Sequence, residues 1–255
     1  SRKVSNIDSM KGALLGPKYN QGEIENSLLK CGAKFEALDD DSIIKTTAKA
    51  LVEGKAIGWF QGRMEFGPRA LGARSIIADP RSEKMQKTLN LKVKYRESFR
   101  PFAPSILRED LNEWFDFDYD SPYMLLVCDV KKNIRYELNE AEKKLFGIDK
   151  LNIKRSKIPA VTHVDYSARI QTVHRDTNPK YYSLISKFKE ITGCPLLVNT
   201  SFNVRGEPII CTPTDAFKCF MGTQLDVLVI ENYFLIKEDQ KIELIESYKE
   251  KYALD

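Results

Sequence analysis

The sequence AIGWFQGRMEFGPRALGARSIIA occupies residues 56–78 and contains two short apolar segments. Residues 56–60 and 75–78 each have the length and the apolar character of a buried β-strand. The loop between them runs from Gly62 to Gly72, contains three glycines and Pro68, and is too short for a helical crossover. This stretch therefore predicts strands that are close neighbours without being parallel.

Further strands and helices alternate along the rest of the chain. Aspartates at 39–41 and glycines at 32 and 54 are typical helix start and stop signals. The mixture predicts an α/β (α+β) fold with a mixed sheet covered by helices, while residues 131–157 are interpreted as a surface insertion. Helices are predicted over 22–30, 43–53, 82–93, 180–192 and from 212 onwards, and further strands over 123–130, 159–163, 169–173, 195–199, 226–230 and 233–236.

The positive charge of the chain is concentrated in one region. The formal net charge is +4 over 255 residues, and residues 61–100 alone contain ten Lys or Arg and four Asp or Glu. Such a cluster predicts an anionic partner.

Composition excludes several classes of protein. No apolar run reaches the roughly 20 residues that a membrane span needs, and the N-terminus has no signal-peptide apolar region. The five cysteines form no Cys-x-x-Cys or Cys/His pattern, so we predict no metal site and reduced thiols in a cytoplasmic protein. His163 is interpreted as a hydrogen-bonded structural residue.

The densest basic segment is KYRESFRPFAP, residues 94–104. If it is extended, Lys94, Arg96 and Arg100 lie on one face, because alternate residues of a strand point the same way. Like charges on one face repel each other unless an anion lies among them. An anion site is favoured over a solvated basic strand or the end of the preceding helix.

The glycine-rich loop 62–72 is a second candidate. Glycines such as Gly67 let backbone N–H groups approach an anion, and Arg63 and Arg69 can fork onto its oxygens. The alternative is a structural turn with surface arginines.

A third candidate follows the predicted strand 195–199. Ser201 and Asn203 offer neutral donors and acceptors that suit a phosphate, a ribose or an amide, although an ordinary Ser/Asn turn has the same composition. Arg169, at the start of another strand, needs an anionic partner, which either a ligand or an acid supplies.

Three motifs, at residues 58–72, 96–104 and 199–203, resemble the C-terminal region of the O-carbamoyltransferases of the NodU/CmcH type. The resemblance extends over about residues 10–238. In that family the C-terminal domain is similar to the YrdC fold, a twisted mixed sheet with helices, which implies this fold for residues 41–255. Residues 1–40 are then expected to be a linker or the tail of a missing N-terminal actin-like ATPase-type domain.

The resemblance also implies a reaction. The family uses carbamoyl phosphate and ATP, with Mg²⁺ accompanying ATP, to form carbamoyl-adenylate, and its N-terminal domain transfers the carbamoyl group to a hydroxyl. The YrdC-type signature Lys-x-Arg with a later Ser-x-Asn is matched at 94–96 and 201–203. Catalytic roles are therefore expected for Lys94, Arg96 and Arg100. Substrate or nucleotide binding is expected at Arg169, Ser201, Asn203, Arg63, Arg69 and Gly67.

Two other classes of function stay open. A basic YrdC-like surface also suits a nucleic-acid-binding module, for example for double-stranded RNA, and the chain could be a non-catalytic interaction domain. The partners that the resemblance implies are small-molecule substrates and the N-terminal domain, with no membrane; an oligomer is compatible with it.

Overall fold

The computed structural model describes residues 8–241, apart from Ser98 and Asn152. The strands of this part of the chain form one mixed sheet in the order β1-β9-β8-β2-β3-β7-β4-β6-β5. Their bounds are β1 (Glu36–Ala37), β2 (Ile57–Phe60), β3 (Arg74–Ala78), β4 (Ala103–Leu107), β5 (Leu126–Asp129), β6 (Ser167–Val173), β7 (Leu196–Ser201), β8 (Val227–Ile230) and β9 (Tyr233–Ile236).

The strand directions confirm the predicted mixed α/β sheet. β2 is antiparallel to β3, with Ile57 opposite Ile77 across the glycine-rich loop, and parallel to β8, with Ile57 opposite Val227. β4 is parallel to β6, and antiparallel pairs join the remaining neighbours. The short loop after β2 thus produces the antiparallel pair that its length requires.

Helices flank this sheet, and their predicted caps are present. The Asp39 side chain accepts hydrogen bonds from two backbone N–H groups at the start of α2, and Thr212 and Asp215 form a capping box at α8. α2 packs against α7, and α1 packs against α8. The helices are α1 (Gln21–Lys30), α2 (Asp40–Val52), α3 (Met85–Lys92), α4 (Leu111–Trp114), α5 (Glu140–Lys143), α6 (Gly147–Leu151), α7 (Pro179–Thr192) and α8 (Pro213–Gly222).

The hydrophobic core lies between the sheet and the helices. Ile24 and Leu28 of α1 belong to it, and β1 pairs with β9, so residues 21–37 pack on the same sheet as the later segments. The boundary at residue 40 stays a prediction. No helix in the described part of the chain is both long enough and apolar enough to cross a membrane. The largest fully buried side chains include Trp59, Phe60, Tyr181, Phe188 and Phe202.

The predicted extended conformation of the basic segment is wrong at residues 94–96. The backbone N–H of Lys94 bonds the carbonyl of Leu89 (2.9 Å), and that of Arg96 bonds the carbonyl of Asn90 (3.0 Å). Tyr95 has a φ of +49°, which lies outside the strand region. The segment therefore folds back over the end of α3, and the alternation argument does not apply to it.

Two other strand predictions need correction. Pro159–Val161 is a 3₁₀ turn, and Pro159 has no N–H to donate to a sheet. The strand predicted over 123–130 is shortened to β5, since Met124 adopts a φ of +55°. The excursion 131–157 lies between β5 and β6 and carries α5, which Asn139 caps.

Candidate functional site

Lys94 and the turn 201–203 form an enclosed cluster, here named the Lys94 clamp. The Lys94 side chain follows α3 and is only 4% exposed. Its Nζ donates to Asn203 Oδ1 (2.7 Å), to the Asn203 carbonyl (2.9 Å) and to Ser201 Oγ (3.2 Å), and also contacts the Ser201 carbonyl. Ser201 Oγ donates to Asn203 Oδ1 at 2.7 Å. The amine thus holds the end of β7 in one conformation.

Burial changes the chemistry of this amine. Loss of solvent and, to a smaller extent, the charge of Arg96 lower the pKa of Lys94 to about 7, while Cys219 and Glu207 oppose the shift. A negative ligand nearby would favour the protonated form. The protonation state of Lys94 therefore depends on the charge of the groups around it.

The predicted arginines meet next to the clamp. Arg96, Arg100 and Arg169 line one cavity of about 320 Å³, together with His163, Ser167 and Val127. We call this space the arginine cavity. Arg96 and Arg100 come from the loop after α3, whereas Arg169 comes from β6. The fold thus brings together three cations from two segments that are distant along the chain.

The charges of the cavity are only partly compensated. The Nε of Arg96 donates to Asn90 Oδ1 (2.7 Å), and its guanidinium lies 5.1 Å from the ring of Phe102. Burial and the charge of Arg100 lower the pKa of Arg96 to about 10. Arg100 pairs with the exposed Glu97 at 3.4 Å. An exposed pair of this kind contributes little binding energy.

Arg169 is the least compensated of the three. Its Nε is buried and has no hydrogen-bond partner among the described residues. Burial lowers its pKa, and the charge of Arg69 adds to that effect. A buried donor without an acceptor is costly, and an anion in the cavity would supply the missing acceptor.

His163 faces the same cavity, which the sequence did not indicate. Burial lowers its pKa, Asp165 opposes this, and Arg169 and Arg155 reinforce it. The imidazole is therefore neutral at pH 7 and offers one donor and one acceptor to a ligand.

Part of the backbone of the glycine-rich loop already binds an anionic side chain. The buried carboxylate of Glu65 accepts hydrogen bonds from the backbone N–H groups of Leu71 (2.7 Å), Ala73 (2.6 Å) and Arg74 (3.1 Å). The loop therefore does build an anion nest, but the anion is its own side chain. Gly67, with a φ of +138°, lies at the exposed part of the loop.

The two arginines of this loop point to different places. Arg63 Nη1 donates to the carbonyl of Gly16 at 3.0 Å and lines a separate cavity with Lys18 and Lys180. Arg69 is exposed, and its charge acts on Arg169. Of the two, Arg69 is thus the one that the structure associates with the arginine cavity.

Residues 48–237 match the protein family described as the carbamoyltransferase C-terminus. The chain belongs to this carbamoyltransferase family. The resemblance read from the three motifs is thereby confirmed.

Relatives of this carbamoyltransferase domain are considerably longer. The chain is 53% identical over 257 residues to an uncharacterized protein of Synechocystis, which covers 100% of the chain and 42% of that protein. Nodulation protein NolNO of Sinorhizobium fredii is 42% identical over 217 residues (84% of the chain, 29% of the relative). The 3'-hydroxymethylcephem-O-carbamoyltransferase of Streptomyces clavuligerus is 36% identical over 183 residues (72% and 31%). The chain thus spans less than half the length of each.

Among solved structures, full-length HypF in its phosphate- and nucleotide-bound form is similar over 77% of the chain and 22% of HypF. The TM-score is 0.45 and the sequence identity is 20%. This likeness is too weak to carry a functional argument.

Two residues of this carbamoyltransferase domain were missed from the sequence. Glu65 lies inside the quoted loop motif, and an acid followed by two glycines, Gly67 and Gly72, is the signal that could have pointed to it. His163 was interpreted as structural because a lone histidine gives no pairing pattern. Its place at the cavity depends on β6, which is remote from the other cavity segments along the chain.

Proposed function

We propose that this domain forms carbamoyl-adenylate from carbamoyl phosphate and ATP, for transfer of the carbamoyl group to a hydroxyl acceptor in biosynthesis. The observation that carries the proposal is the arginine cavity, where Arg96, Arg100 and Arg169 line one space of about 320 Å³. Membership of the carbamoyltransferase family supports the same reaction class. Three arginines with one exposed carboxylate partner suit a multiply charged anion.

The proposed chemistry has two steps. Water cleaves carbamoyl phosphate to carbamate and inorganic phosphate. A carbamate oxygen then attacks the α-phosphorus of ATP, so that a new O–P bond forms, the bond to the bridging β-oxygen breaks, and pyrophosphate leaves with the electron pair. Both steps place negative charge on phosphate oxygens, which fixed cations stabilise without reorganisation.

Each residue has a part in this scheme. Arg96 and Arg100 stabilise the phosphate charge, and Arg169, with its unpartnered Nε, binds the carbamoyl or phosphate group. Lys94 adds positive charge from the clamp, where Ser201 and Asn203 position the nucleotide. Arg69 contributes from the loop, whereas Arg63 lines another cavity and is given no step.

The reaction needs further components. Mg²⁺ would accompany ATP on its phosphate oxygens, and we assign it no protein ligand. An additional N-terminal domain of the same protein, of the actin-like ATPase type, would transfer the carbamoyl group, in line with the greater length of the relatives. Carbamoyl-adenylate hydrolyses in water, so the site should close when both parts are present.

The test is the exchange of labelled pyrophosphate into ATP, measured with and without carbamoyl phosphate. Wild-type chain should show exchange that depends on carbamoyl phosphate, and Arg169→Gln should lower it about a hundredfold. Arg108→Gln is the matched control, because Arg108 pairs with Asp118 and Asp120 outside the cavity and should leave exchange unchanged.

Three outcomes would contradict the proposal or a part of it. Absence of exchange together with salt-dependent binding of duplex RNA would favour a nucleic-acid-binding module. Absence of both would favour a non-catalytic interaction domain. Carbamoylation of a hydroxyl compound by this chain alone would contradict the need for a second domain.

A further inference from the structure

Glu65 is a buried acid that the proposed reaction does not use. Its side chain is 4% exposed, and Oε1 accepts backbone hydrogen bonds from Leu71 (2.7 Å), Ala73 (2.6 Å) and Arg74 (3.1 Å), while Oε2 also accepts from Arg74 (3.1 Å). A carboxylate that receives several N–H groups forms strong, charge-assisted hydrogen bonds. Glu65 therefore folds the second half of its own loop around itself.

Side chains from three strands hold the carbonyls of the same loop segment. Asn199 Nδ2 of β7 donates to the carbonyl of residue 70 (3.2 Å), and Gln171 Nε2 of β6 donates to that of residue 71 (2.9 Å). Trp59 Nε1 of β2 donates to that of residue 72 (3.0 Å). The N–H groups of residues 71, 73 and 74 are thus fixed by Glu65, that of Gly72 by Ser75 Oγ (3.0 Å), and the carbonyls of residues 70–72 by the sheet.

This register places Arg69 beside the arginine cavity. Gln171 and Arg169 lie two residues apart on β6 and share one face of the strand. Gln171 bonds Leu71, and Arg69 precedes Leu71 by two residues, so the loop runs alongside β6 with Arg69 next to Arg169. The effect of the Arg69 charge on the pKa of Arg169 agrees with this proximity.

We propose that Glu65 is a positioning residue, whose carboxylate fixes the loop 65–74 so that Arg69 supplies a fourth cation to the arginine cavity. The inference rests on the proposed function, because it takes that cavity to be the site of the phosphate groups. Glu65 touches no substrate and acts through Arg69. Its carboxylate oxygens accept hydrogen bonds from backbone N–H groups, and its charge acts on the buried Arg74.

The experiment is a double-mutant cycle with Glu65→Gln, Arg69→Met and the double variant, followed by exchange kinetics. Glu65→Gln keeps the size of the side chain but replaces an accepting oxygen with an NH₂ group, which cannot receive the loop N–H groups. Each single variant should raise the KM for carbamoyl phosphate about tenfold, with kcat nearly unchanged. The double variant should be no worse than Arg69→Met alone.

Glu231→Gln is the matched control. Glu231 Oε1 accepts from the backbone N–H of Gly62 (2.6 Å) at the other end of the loop, away from Arg69. The increase in KM caused by Glu231→Gln should multiply with the increase caused by Arg69→Met. If the effects of Glu65→Gln and Arg69→Met also multiply, Glu65 does not act through Arg69 and the proposal is overturned.

Amide hydrogen exchange distinguishes loss of the positioning role from general unfolding. Pyrophosphate binding distinguishes it from failure of the proposed function. Glu65→Gln should speed amide exchange at residues 71, 73 and 74 while the sheet stays protected; loss of protection throughout the sheet would overturn the positioning role. If the wild-type chain has no exchange activity, the proposed function fails, and pyrophosphate binding by calorimetry in the same variants still decides the coupling of Glu65 to Arg69. Absence of pyrophosphate binding by the wild-type chain would overturn both.

Discussion

The Lys94 clamp and the arginine cavity lie side by side but differ in how their cations are satisfied. In the clamp, the amine of Lys94 has protein oxygens for all of its protons. In the cavity, the buried Nε of Arg169 has no hydrogen-bond partner in the described part of the chain. The neighbouring side chains of Arg69 and Arg96 are positively charged, as Arg169 is, and therefore do not compensate its charge. A cation with protein acceptors stabilises the fold in addition to any ligand, whereas a cation without them stabilises the ligand alone.

This contrast separates stability from binding. Removing Lys94 leaves buried acceptors without a donor, so the fold should suffer together with the reaction. Removing a cavity arginine relieves repulsion between like charges, so the reaction should suffer alone. Substitutions in the two clusters therefore test whether stability and ligand binding are separate.

The largest effect is expected for Lys94→Met. We expect exchange activity to fall about a thousandfold and the free energy of unfolding to fall by about 2 kcal/mol, because the Asn203 carbonyl loses its charged donor and Asn203 Oδ1 keeps only Ser201 Oγ. Lys237→Met is the matched control, since Lys237 also donates to backbone carbonyls, at Phe220 and Thr223. The Lys237→Met variant should be less stable in urea titrations but should retain its pyrophosphate exchange activity. If both variants lose this activity equally, Lys94 affects only folding.

A smaller effect is expected from pH. The pKa of Lys94 in the folded chain is about 7, below the roughly 10.4 of an unfolded lysine. Between these values the unfolded chain binds the extra proton, so Lys94 makes stability rise with pH. The difference in unfolding free energy between wild type and Lys94→Met should grow by up to about 3 kcal/mol from pH 7 to pH 9.5. A constant difference in urea titrations would show that the pKa is not lowered.

A third effect concerns the cavity alone. Arg169→Gln should weaken pyrophosphate binding in calorimetry about tenfold, because one charged donor is lost. The free energy of unfolding should stay equal or rise by about 0.5 kcal/mol, because repulsion from Arg69 is relieved. A clear loss of stability would show that Arg169 stabilises the fold, as Lys94 does, and would contradict its assignment to ligand binding alone.

The smallest effect is expected for Arg63→Ala. Its guanidinium bonds the Gly16 carbonyl and lines a different cavity. Exchange activity should change less than about threefold, as is usual for an exposed group outside the site. A loss as large as that of Arg169→Gln would bring the whole glycine-rich loop into the reaction.

The fold could be predicted from the sequence better than the hydrogen-bond network of the site. Apolar runs such as 56–60 and capped helices such as α2 depend on neighbouring residues, and both were found where expected. The course of residues 94–100 depends on a left-handed Tyr95 and on hydrogen bonds to α3, which no local pattern indicates. The structure brings Lys94, Ser201 and Asn203 of the motif into contact, but the motif indicated neither their mutual hydrogen bonds nor those of Glu65 with its own loop.

The parallel pairing of β2 with β8 has a consequence for synthesis of the chain. Ile57 is opposite Val227, so a central strand of the sheet waits for a partner made 170 residues later. β3 closes on β2 early, yet the opposite edge of β2 stays open until β8 has left the ribosome. Such distant contacts slow folding and leave an apolar edge exposed meanwhile. A chain cut before β8 should consequently aggregate, even though every segment of the arginine cavity would be present.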